Sequence, residues 1–402
     1  MLSVAEARRA IGDALPQRGV EQVPLEDTVG RILRQAVTAE RDQPPYDRVT
    51  MDGIAVRHAG ITAGERAFGI AGTLHAGDPP LALPPGAQCI EVMTGAVLPA
   101  GADCVIPVER IERQGNVARL EDGYEPLANQ SIHARGSDHR RGHTLLAPGA
   151  RIAPNDVALL ASAGLARVTV SRNPSVTVIS TGNELVAAGE PIAAHQVRLS
   201  NGPALVAMLR QQGYADSRHE HLADDPDTLR RRIGERLASS DVLVLSGGVS
   251  MGQADFVPRV LAELGVRRVF HRIAQRPGKP MWFGTGPAAQ AVFALPGNPV
   301  SAMVCCRHYV LPALLAAGGA APSAPGAAVL AADYRFEPDL TCFVPVRVTT
   351  GADARLLAEP VVINTSGDFS ALSGTAGYVE LSSETRHFAA GSVQPLHDWS
   401  RP

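Results

Sequence analysis

The sequence predicts a multidomain α/β plus β protein. Its centre is a doubly wound, mostly parallel α/β domain, joined to a mixed N-terminal domain and two small β-domains. Three observations predict this class. The chain has 402 residues, which is long for one hydrophobic core. Buried-type strands alternate with amphipathic helices between about 173 and 317. On either side, short apolar runs are separated by Gly and Pro, which is typical of small β-domains.

The N-terminal part predicts a helix followed by β-structure. "MLSVAEARRAIGDAL" is an amphipathic helix and lacks the continuous apolar stretch of a signal sequence. "FGIAGTL", "AQCIEVMTGAVLP" and "DCVIPVERI" predict a β-barrel-like domain over residues 45–133. "PNDVALLASAGL" predicts a short helix ending at Gly164. Residues 1–44 and 134–172 then form the mixed N-terminal domain.

Residues 173–320 predict the doubly wound domain. "SVTVIST", "DVLVLSGG" and "AVFALPG" are strands, and "GPALVAMLRQQG", "DDPDTLRRRIGERLA", "FVPRVLAELG" and "PVSAMVCCRHYVLPALLAA" are helices. The linker "AAGGAAPSAPGAA" leads into a small β-domain over residues 321–402.

Composition excludes some function classes and suggests a compartment. A net charge of −3 gives no general attraction to nucleic acid or to an anionic membrane. Five cysteines without a CxxC pair indicate reduced thiols in a cytosolic protein. We find no apolar run that approaches the ~18 to 20 residues of a membrane span. The sequence therefore predicts a cytoplasmic protein with no nucleic-acid or membrane partner.

Three unusual loops follow strands of the predicted sheet: "STGNEL" (180–185), "SGGVSMGQAD" (246–255) and "LPGNPVS" (295–301). Ligands bind at the carboxyl ends of such strands, and small residues leave backbone N–H groups exposed there. One such loop alone is more often a tight turn. Three on one edge predict a phosphate-bearing ligand. The contacting residues would be Ser246, Gly247, Gly248, Ser250, Pro296, Gly297, Asn298 and Pro299. The chain has neither a Walker motif nor a GxGxxG run after the first strand, so neither that ATPase class nor a nicotinamide site is indicated.

Acidic residues share this edge. Glu184 and Asp255 lie among small polar residues, and Asp225, next to Asp224, either joins them or caps a helix. Carboxylates beside bound phosphates suit Mg²⁺, which takes a few carboxylates and completes its shell with substrate oxygens. The sequence predicts Mg²⁺ bound by Glu184 and Asp255.

Lys279, in "RPGKPMWFG", is the only lysine among 37 basic residues, and Arg272 and Arg276 precede it. An ammonium is a compact point charge that fits a small tetrahedral oxyanion where a planar guanidinium is wide. The alternative is a solvated loop lysine left by chance in an arginine-rich chain. We expect an oxyanion site.

Eight motifs in order carry a family resemblance: "DRVTMDGIA", "VMTGAVLPAGAD", "RGSD", "STGNEL", "SGGVSMGQAD", "RPGKP", "LPGNPVSA" and "SGDFSAL". From about residue 1 to 395 the chain resembles the molybdopterin molybdenumtransferase family, which includes the gephyrin E-domain. The resemblance implies an elongated four-domain homodimer in which the molybdopterin-binding domain of one subunit faces the β-domain of the other. It also implies the reaction: adenylylated molybdopterin and molybdate give molybdenum cofactor and AMP, assisted by Mg²⁺.

The resemblance further implies residue roles. Catalytic positions are Asp52, Thr94, Glu184, Asp225 and Asp255. The molybdate pocket matches Arg276, Lys279, Pro280 and Ser301, joined by Arg347 and Ser366 from the last domain, with Arg272 beside it. Arg135 of "RGSD" matches a polar position near the cleft. Other cofactor-biosynthesis proteins and apo-molybdoenzymes are the expected partners.

The sequence departs from the family pattern in several places. Ile54 replaces a common Tyr, Arg48 and Val49 replace the usual residues before "MDG", and Asn183 removes a carboxylate. Arg272 and Arg276 stand where lysines are common, which keeps the charge. Three alternatives stay open: a molybdopterin adenylyltransferase or nucleotide hydrolase on the same domain, a paralogue with altered metal preference, and a non-catalytic scaffold.

Overall fold

The computed structural model describes residues 1–248, 256–363, 365 and 367–400. The chain divides into two compact units. The first comprises Met1–Gln35, Pro148–Val157 and everything from Arg167 onward, and the second comprises Ala36–Ala147 and Ala158–Ala166. The predicted division into four domains stays a prediction.

The first unit is built on a six-stranded α/β sheet. Its elements in chain order are β1 (Val176–Thr181), α1 (Asn201–Gln211), β2 (Ser217–Leu222), α2 (Pro226–Ser239), β3 (Val242–Ser246), α3 (Val257–Glu263), β4 (Arg267–His271), β5 (Gln275–Arg276), β6 (Trp282–Thr285), β7 (Ala291–Leu295) and α4 (Pro299–Ala317). The sheet order is β2-β1-β3-β7-β6-β4, with β5 outside it. The first four strands are parallel and β6 runs antiparallel to both its neighbours. This confirms the predicted mostly parallel sheet.

Both faces of this sheet are covered, as a doubly wound fold requires. Along β3, Val242 and Val244 pack into one core with residues of α1 and α4. Leu243 and Leu245 pack into a second core with residues of α2 and α3. Because successive strand side chains point to opposite faces, a strand buried on both sides is apolar throughout.

Helix α4 corrects one prediction. Over the residues that the structure describes, Pro299–Ala317 is long and apolar enough to cross a membrane by length and composition, so the statement that no apolar run approaches that length is wrong. Arg307 and His308 divide this stretch into two shorter apolar runs in the sequence, whereas the structure has one continuous helix. Its most apolar window is 72% buried inside the protein, as in a core helix. Residues Cys306–Val310 form a π-helical turn within it.

A closed β-barrel follows α4. Its strands are β8 (Gly326–Leu330), β9 (Thr341–Thr350), β10 (Leu356–Pro360), β11 (Gly377–Leu381) and β12 (Val393–Asp398). The pairing runs β9-β10-β8-β12-β11 and returns to β9, so these five strands close on themselves. The short strand β5 pairs in parallel with the beginning of β9, Arg276 lying opposite Cys342. The segment that leads to Lys279 is therefore joined to the barrel by backbone hydrogen bonds.

Smaller elements complete the first unit. The N-terminal helix Val4–Ala14 begins with a capping box between Ser3 and Glu6, which confirms the predicted helix. Strand Val20–Pro24 pairs with Arg167–Ser171. The remaining short elements include the strand pairs Leu185–Val186 with Val197–Arg198 and Tyr334–Arg335 with His387–Phe388, and the 3-10 turns Leu25–Asp27 and Phe369–Leu372. Helix Pro154–Ser162, whose residues are divided between the two units, ends two residues before the predicted Gly164.

The second unit is a β-structure around a six-stranded sheet. Its strands, in sheet order, are Cys104–Pro107, Gly53–Val56, Gln88–Val92, Ala67–Leu74, Val117–Leu120 and Ile111–Gln114. The short helix His58–Thr62, the 3-10 turn Val108–Arg110 and two small strand pairs, Val37–Thr38 with Thr144–Leu146 and Arg48–Val49 with Ile132–His133, accompany it. Ile54 and Phe68 lie in its core.

All five cysteines are free and buried. Cys89 and Cys104 lie in the second unit, and Cys305, Cys306 and Cys342 in the first. Burial raises the pKa of the Cys89, Cys104 and Cys342 thiols to about 11 and that of Cys306 to about 12, and it raises the pKa of Cys305 as well. These thiols are therefore protonated at neutral pH.

Candidate functional site

Two adjoining cavities in the first unit collect most of the predicted site residues. The strand-end cavity, about 710 Å³, lies where β1, β3 and β7 end. The barrel cavity, about 830 Å³, lies between the loop after β5 and the barrel. Pro280, Pro296 and Asn298 line both. The strand-end cavity also contains the predicted Glu184, Ser246, Gly247, Gly248, Gly297 and Pro299, and the barrel cavity the predicted Arg276, Lys279 and Ser301.

Glycine is required at the floor of the strand-end cavity. Gly247 has φ +102° and Gly248 φ +64°, a region that side chains rarely adopt. A Cβ at Gly247 would lie 2.6 Å from the Thr181 carbonyl oxygen, and one at Gly248 would lie 2.7 Å from a Val257 methyl group. The sequence "SGG" thus lets the backbone of one strand end pack directly against its neighbour.

Two buried polar atoms in residues of this cavity lack a partner. The Asn201 amide nitrogen donates to Ser246 Oγ at 2.9 Å and to the Gly297 carbonyl at 2.7 Å. Its Oδ1 and the Thr181 hydroxyl have no hydrogen-bond partner among the described residues. Since buried polar groups are ordinarily paired, these atoms indicate that a polar ligand or ordered water completes the site.

The acidic residues are divided between two roles. Glu184 and Asp224 line the strand-end cavity. Asp225 lines neither cavity; it caps α2 by accepting a hydrogen bond from the Thr228 backbone N–H at 2.8 Å, which lowers its pKa. The capping alternative for Asp225 is thereby confirmed. Asn183 accepts a hydrogen bond from the Asp224 backbone N–H at 3.0 Å and so fixes the neighbouring carboxylate residue. Asp255 and Ser250 lie outside the described residues.

The barrel cavity has a basic and hydroxylated wall. Lys279 and Arg276 are exposed and Ser301 is buried. Arg347 lies in β9 but does not line the cavity, although Glu359, its cross-strand partner, does. Arg272 lines neither cavity. It occupies a turn with φ +74°, where its backbone N–H donates to the Met281 carbonyl at 2.8 Å. Ser366 lies outside the described residues.

A buried amide holds the loop that carries Arg276 and Lys279. Gln275 is fully buried, and its Nε2 donates to the Pro277 carbonyl at 3.0 Å and to Cys305 Sγ at 3.6 Å. The Tyr309 hydroxyl donates to Gln275 Oε1. A single side chain therefore ties the loop after β5 to helix α4.

The second unit brings two predicted residues together. The Thr94 backbone N–H and hydroxyl both donate to Asp52 Oδ1, at 2.6 Å and 2.7 Å, and these bonds lower the pKa of Asp52. Arg135 donates from its backbone to Asp47 and from Nε to Asp42, each at 2.8 Å. Asp52 is therefore held ionised and fixed in position.

The unusual residues of this unit have structural explanations. Ile54 and Val49 are buried in apolar clusters. Arg48 lies 3.1 Å from a ring nitrogen of His133, which in turn contacts Asp138 at 2.9 Å. Among the described residues, no hydrogen bond joins Arg48, Val49 or Ile54 to Asp52.

Sequence reasoning missed three residues that the structure places at or beside the cavities: Thr181, Asn201 and Gln275. Asn201 opens α1 shortly after the short strand Val197–Arg198, and a polar residue at this junction of strand and helix was the available signal. Asp224 was named with Asp225 among the acidic residues of this edge, but no role of its own was predicted for it. Gln275 gave no signal, because its role depends on contacts distant in sequence.

Comparison with known proteins agrees with this architecture. Three family profiles match the chain: "MoeA N-terminal region (domain I and II)" over residues 2–164, "Probable molybdopterin binding domain" over 177–316, and "MoeA C-terminal region (domain IV)" over 327–398. The crystal structure of the molybdopterin biosynthesis MoeA protein from Pyrococcus horikoshii superimposes with a TM-score of 0.82 at 29% identity, covering 99% of both chains.

The fold and the family matches together define a multidomain protein of molybdenum cofactor biosynthesis, built on a molybdopterin-binding α/β domain. Molybdopterin molybdenumtransferase of Synechocystis is 36% identical over 400 residues, covering 99% of this chain and 100% of the relative. The Bacillus subtilis enzyme of the same name is 30% identical over 406 residues, covering 98% of this chain and 94% of the relative. The chain belongs to the molybdopterin molybdenumtransferase family and is a transferase, as the motifs predicted.

Proposed function

We propose that the chain inserts molybdenum into the cofactor by converting adenylylated molybdopterin and molybdate to molybdenum cofactor and AMP. The observation that carries this proposal is the pair of joined cavities. A reaction between a large phosphate-bearing substrate and a small oxyanion needs two different pockets that meet. The strand-end and barrel cavities share Pro280, Pro296 and Asn298 and differ in chemistry as such a reaction requires.

The strand-end cavity suits the nucleotide-bearing substrate. Its loops follow parallel strands, where small residues expose backbone N–H groups that can cradle phosphate oxygens. The unpaired Oδ1 of Asn201 and hydroxyl of Thr181 add hydrogen-bonding capacity for a polar ligand. Volume supports the same assignment, since about 710 Å³ lies within the range of small-molecule sites.

The barrel cavity suits molybdate. Arg276, Lys279 and Ser301 offer two cations and a hydroxyl to a tetrahedral dianion, in a protein whose overall charge of −3 would not attract one. Arg347 and Ser366 remain proposed contributors from the last domain, the former from the strand next to Glu359.

Mg²⁺ is part of the proposal. The Glu184 and Asp224 carboxylates of the strand-end cavity fit the oxygen ligands that Mg²⁺ prefers, together with Asp255 as predicted. When bound, the ion would neutralise phosphate charge as the AMP group leaves. Glu184 and Asp224 would hold the ion beside the substrate phosphates that the strand-end loops bind.

We also propose a cytoplasmic homodimer in which Asp52 and Thr94 of one subunit complete the site of the other, serving other cofactor-biosynthesis proteins and apo-molybdoenzymes. The Asp52–Thr94 pair supports this, because Thr94 holds the Asp52 carboxylate with two hydrogen bonds, yet neither residue lines the strand-end or the barrel cavity of its own chain.

The reaction can be measured directly. We expect the purified chain to release AMP from adenylylated molybdopterin only when molybdate and Mg²⁺ are present, and the product to activate an apo-molybdoenzyme. Glu184→Gln should raise the Mg²⁺ concentration needed for AMP release. Glu190→Gln, which changes an exposed glutamate a few residues away, is the matched control and should not.

The principal alternative predicts a different dependence. An adenylyltransferase on the same domain would convert free molybdopterin and ATP without molybdate, and a nucleotide hydrolase would release AMP without it. Either result would replace the proposed reaction.

A further inference from the structure

A second cluster of ligating side chains lies at the junction of helix α4 and the barrel. It consists of His308 in the π-helical turn, Glu380 in β11 and His397 in β12. One ligand atom from each lies within 4.8 Å of those of the other two. His308 is 1% exposed and His397 6%. None of the three lines the strand-end or the barrel cavity, so the proposed reaction does not account for them.

One ring nitrogen of His308 is buried without a partner. His308 Nδ1 lies 3.0 Å from the Tyr378 hydroxyl. Nε2 has no hydrogen-bond partner in the part of the chain that the structure describes. With the ring proton on Nδ1 and donated to Tyr378, Nε2 keeps its lone pair. This is the arrangement of metal-binding histidines, whose second nitrogen donates to a neighbouring group that fixes the ring.

The charges around His308 set a further condition on the site. Arg8 and Arg307 disfavour a positive charge at the His308 ring. The same cationic neighbours would disfavour a metal ion unless a carboxylate entered its shell.

Glu380 supplies that carboxylate. Its Oε2 lies 2.9 Å from His397 Nε2, so the two groups already face each other. About a quarter of the Glu380 side chain is exposed, whereas His397 is almost completely buried, which leaves a route to solvent on the carboxylate side. Two imidazoles and one carboxylate with an open fourth position form a donor set characteristic of zinc.

We propose that His308, Glu380 and His397 bind a divalent cation of the zinc class, with a water molecule as the fourth ligand. Mg²⁺ does not suit this donor set, because it prefers oxygen ligands, whereas imidazole is a good ligand for zinc. The ion would join α4 to two strands of the barrel. The π-helical turn, a feature often found at functional sites, sets the position of His308.

Cobalt and zinc titrations of the full-length protein test the site. After treatment with a chelator, we expect Co²⁺ to produce the intense visible absorption of a tetrahedral centre, and Zn²⁺ to abolish it. His308→Gln and Glu380→Gln should each weaken Zn²⁺ binding by about 100-fold or more. Tyr378→Phe should weaken it by about 10- to 100-fold, as loss of a group that orients a ligand does.

A matched control removes histidines elsewhere. His139 and His143 stack in the second unit, and the double variant His139→Gln/His143→Gln should bind Zn²⁺ like the native chain. The extended X-ray absorption fine structure at the zinc edge needs no variant, and for the zinc-loaded native protein it should fit two imidazole nitrogens at about 2.0 to 2.1 Å plus a carboxylate. No saturable Zn²⁺ binding, equal affinity in His308→Gln, or a shell without imidazole would overturn the proposal.

Discussion

Lys279 is unusual both in the composition of the chain and in its position. It is the only lysine of the sequence, and it lies at the wall of the barrel cavity with Arg276 and Ser301. The buried Gln275 amide fixes its loop by donating hydrogen bonds to the Pro277 carbonyl and to Cys305 Sγ. A point charge on a fixed loop can approach a small oxyanion more closely than a guanidinium can.

Lys279→Ala should weaken molybdate binding about 10- to 150-fold, because a hydrogen bond to a charged group contributes roughly 1.5 to 3 kcal/mol. Binding of adenylylated molybdopterin should change less, since its phosphates depend on the loops of the strand-end cavity. Equilibrium binding of each substrate measures both. Lys279→Arg separates charge from size: full activity would make the lysine incidental, and loss close to that of alanine would establish the need for a compact cation.

Asp52 gives a prediction for pH. Hydrogen bonds from the Thr94 backbone and hydroxyl lower its pKa below the ordinary 3.8. Its contribution to stability is therefore complete above that ordinary value and is lost as the pH falls through the lowered one. Thr94→Val removes one of the two donors, so the pKa of Asp52 should rise part of the way back. Carbon-13 NMR titration of the carboxyl group measures this, and Thr94→Ser, which keeps the hydroxyl, should retain the native value. An unchanged pKa in the valine variant would show that the backbone bond alone sets it.

At the scale of elements, two glycines in the cavity loops differ in what they allow. Gly278 has φ +96°, and an added Cβ would lie 2.5 Å from both Cys305 Sγ and Gln275 Nε2. Gly297 has no such φ, and its nearest neighbour would be the Gly247 Cα at 3.6 Å. The conformation and packing of the loop therefore require glycine at position 278. At position 297 there is room for a Cβ, and glycine only leaves the backbone at the strand end uncovered.

Gly278→Ala should lower the Tm and abolish molybdate binding, because the loop must move away from α4. Gly297→Ala should fold with nearly native stability, since an ordinary contact distance is available. Calorimetry and molybdate titration of the two variants form a matched pair. Equal destabilisation by both substitutions would contradict this account of the loop.

The same elements show which parts of the fold can be predicted from the sequence. β1, β3, α2 and the cap at Asp225 followed from hydrophobic period and capping chemistry, which are local. Strand β6 was not predicted, because the four-residue run "MWFG" is too short to show a strand pattern; it becomes a strand by pairing with β4 and β7. The cluster of loops at one sheet edge was predictable from topology. The roles of Gln275 and Asn201 were not, because each depends on partners far along the chain.

For the whole molecule, the proposed homodimer predicts complementation. If Asp52 comes from one subunit and Lys279 from the other, a mixed dimer of Asp52→Ala and Lys279→Ala subunits contains one doubly damaged site and one native site. Co-expressed variants with different affinity tags, purified through both tags, should recover activity that neither pure variant has. Activity as low as that of the pure variants, with the mixed dimer verified by mass, would place both residues in the same subunit's site.

The five buried cysteines can report where the chain unfolds. Each cysteine is protonated and shielded, so an alkylating reagent can reach it only after the surrounding structure separates. Modification of Cys89 and Cys104 would register opening of the second unit, and modification of Cys305, Cys306 and Cys342 that of the first. Peptide mass spectrometry after brief alkylation during heating would thus give two melting curves from one unlabelled sample. Addition of molybdate would displace only the curve of the unit that binds it.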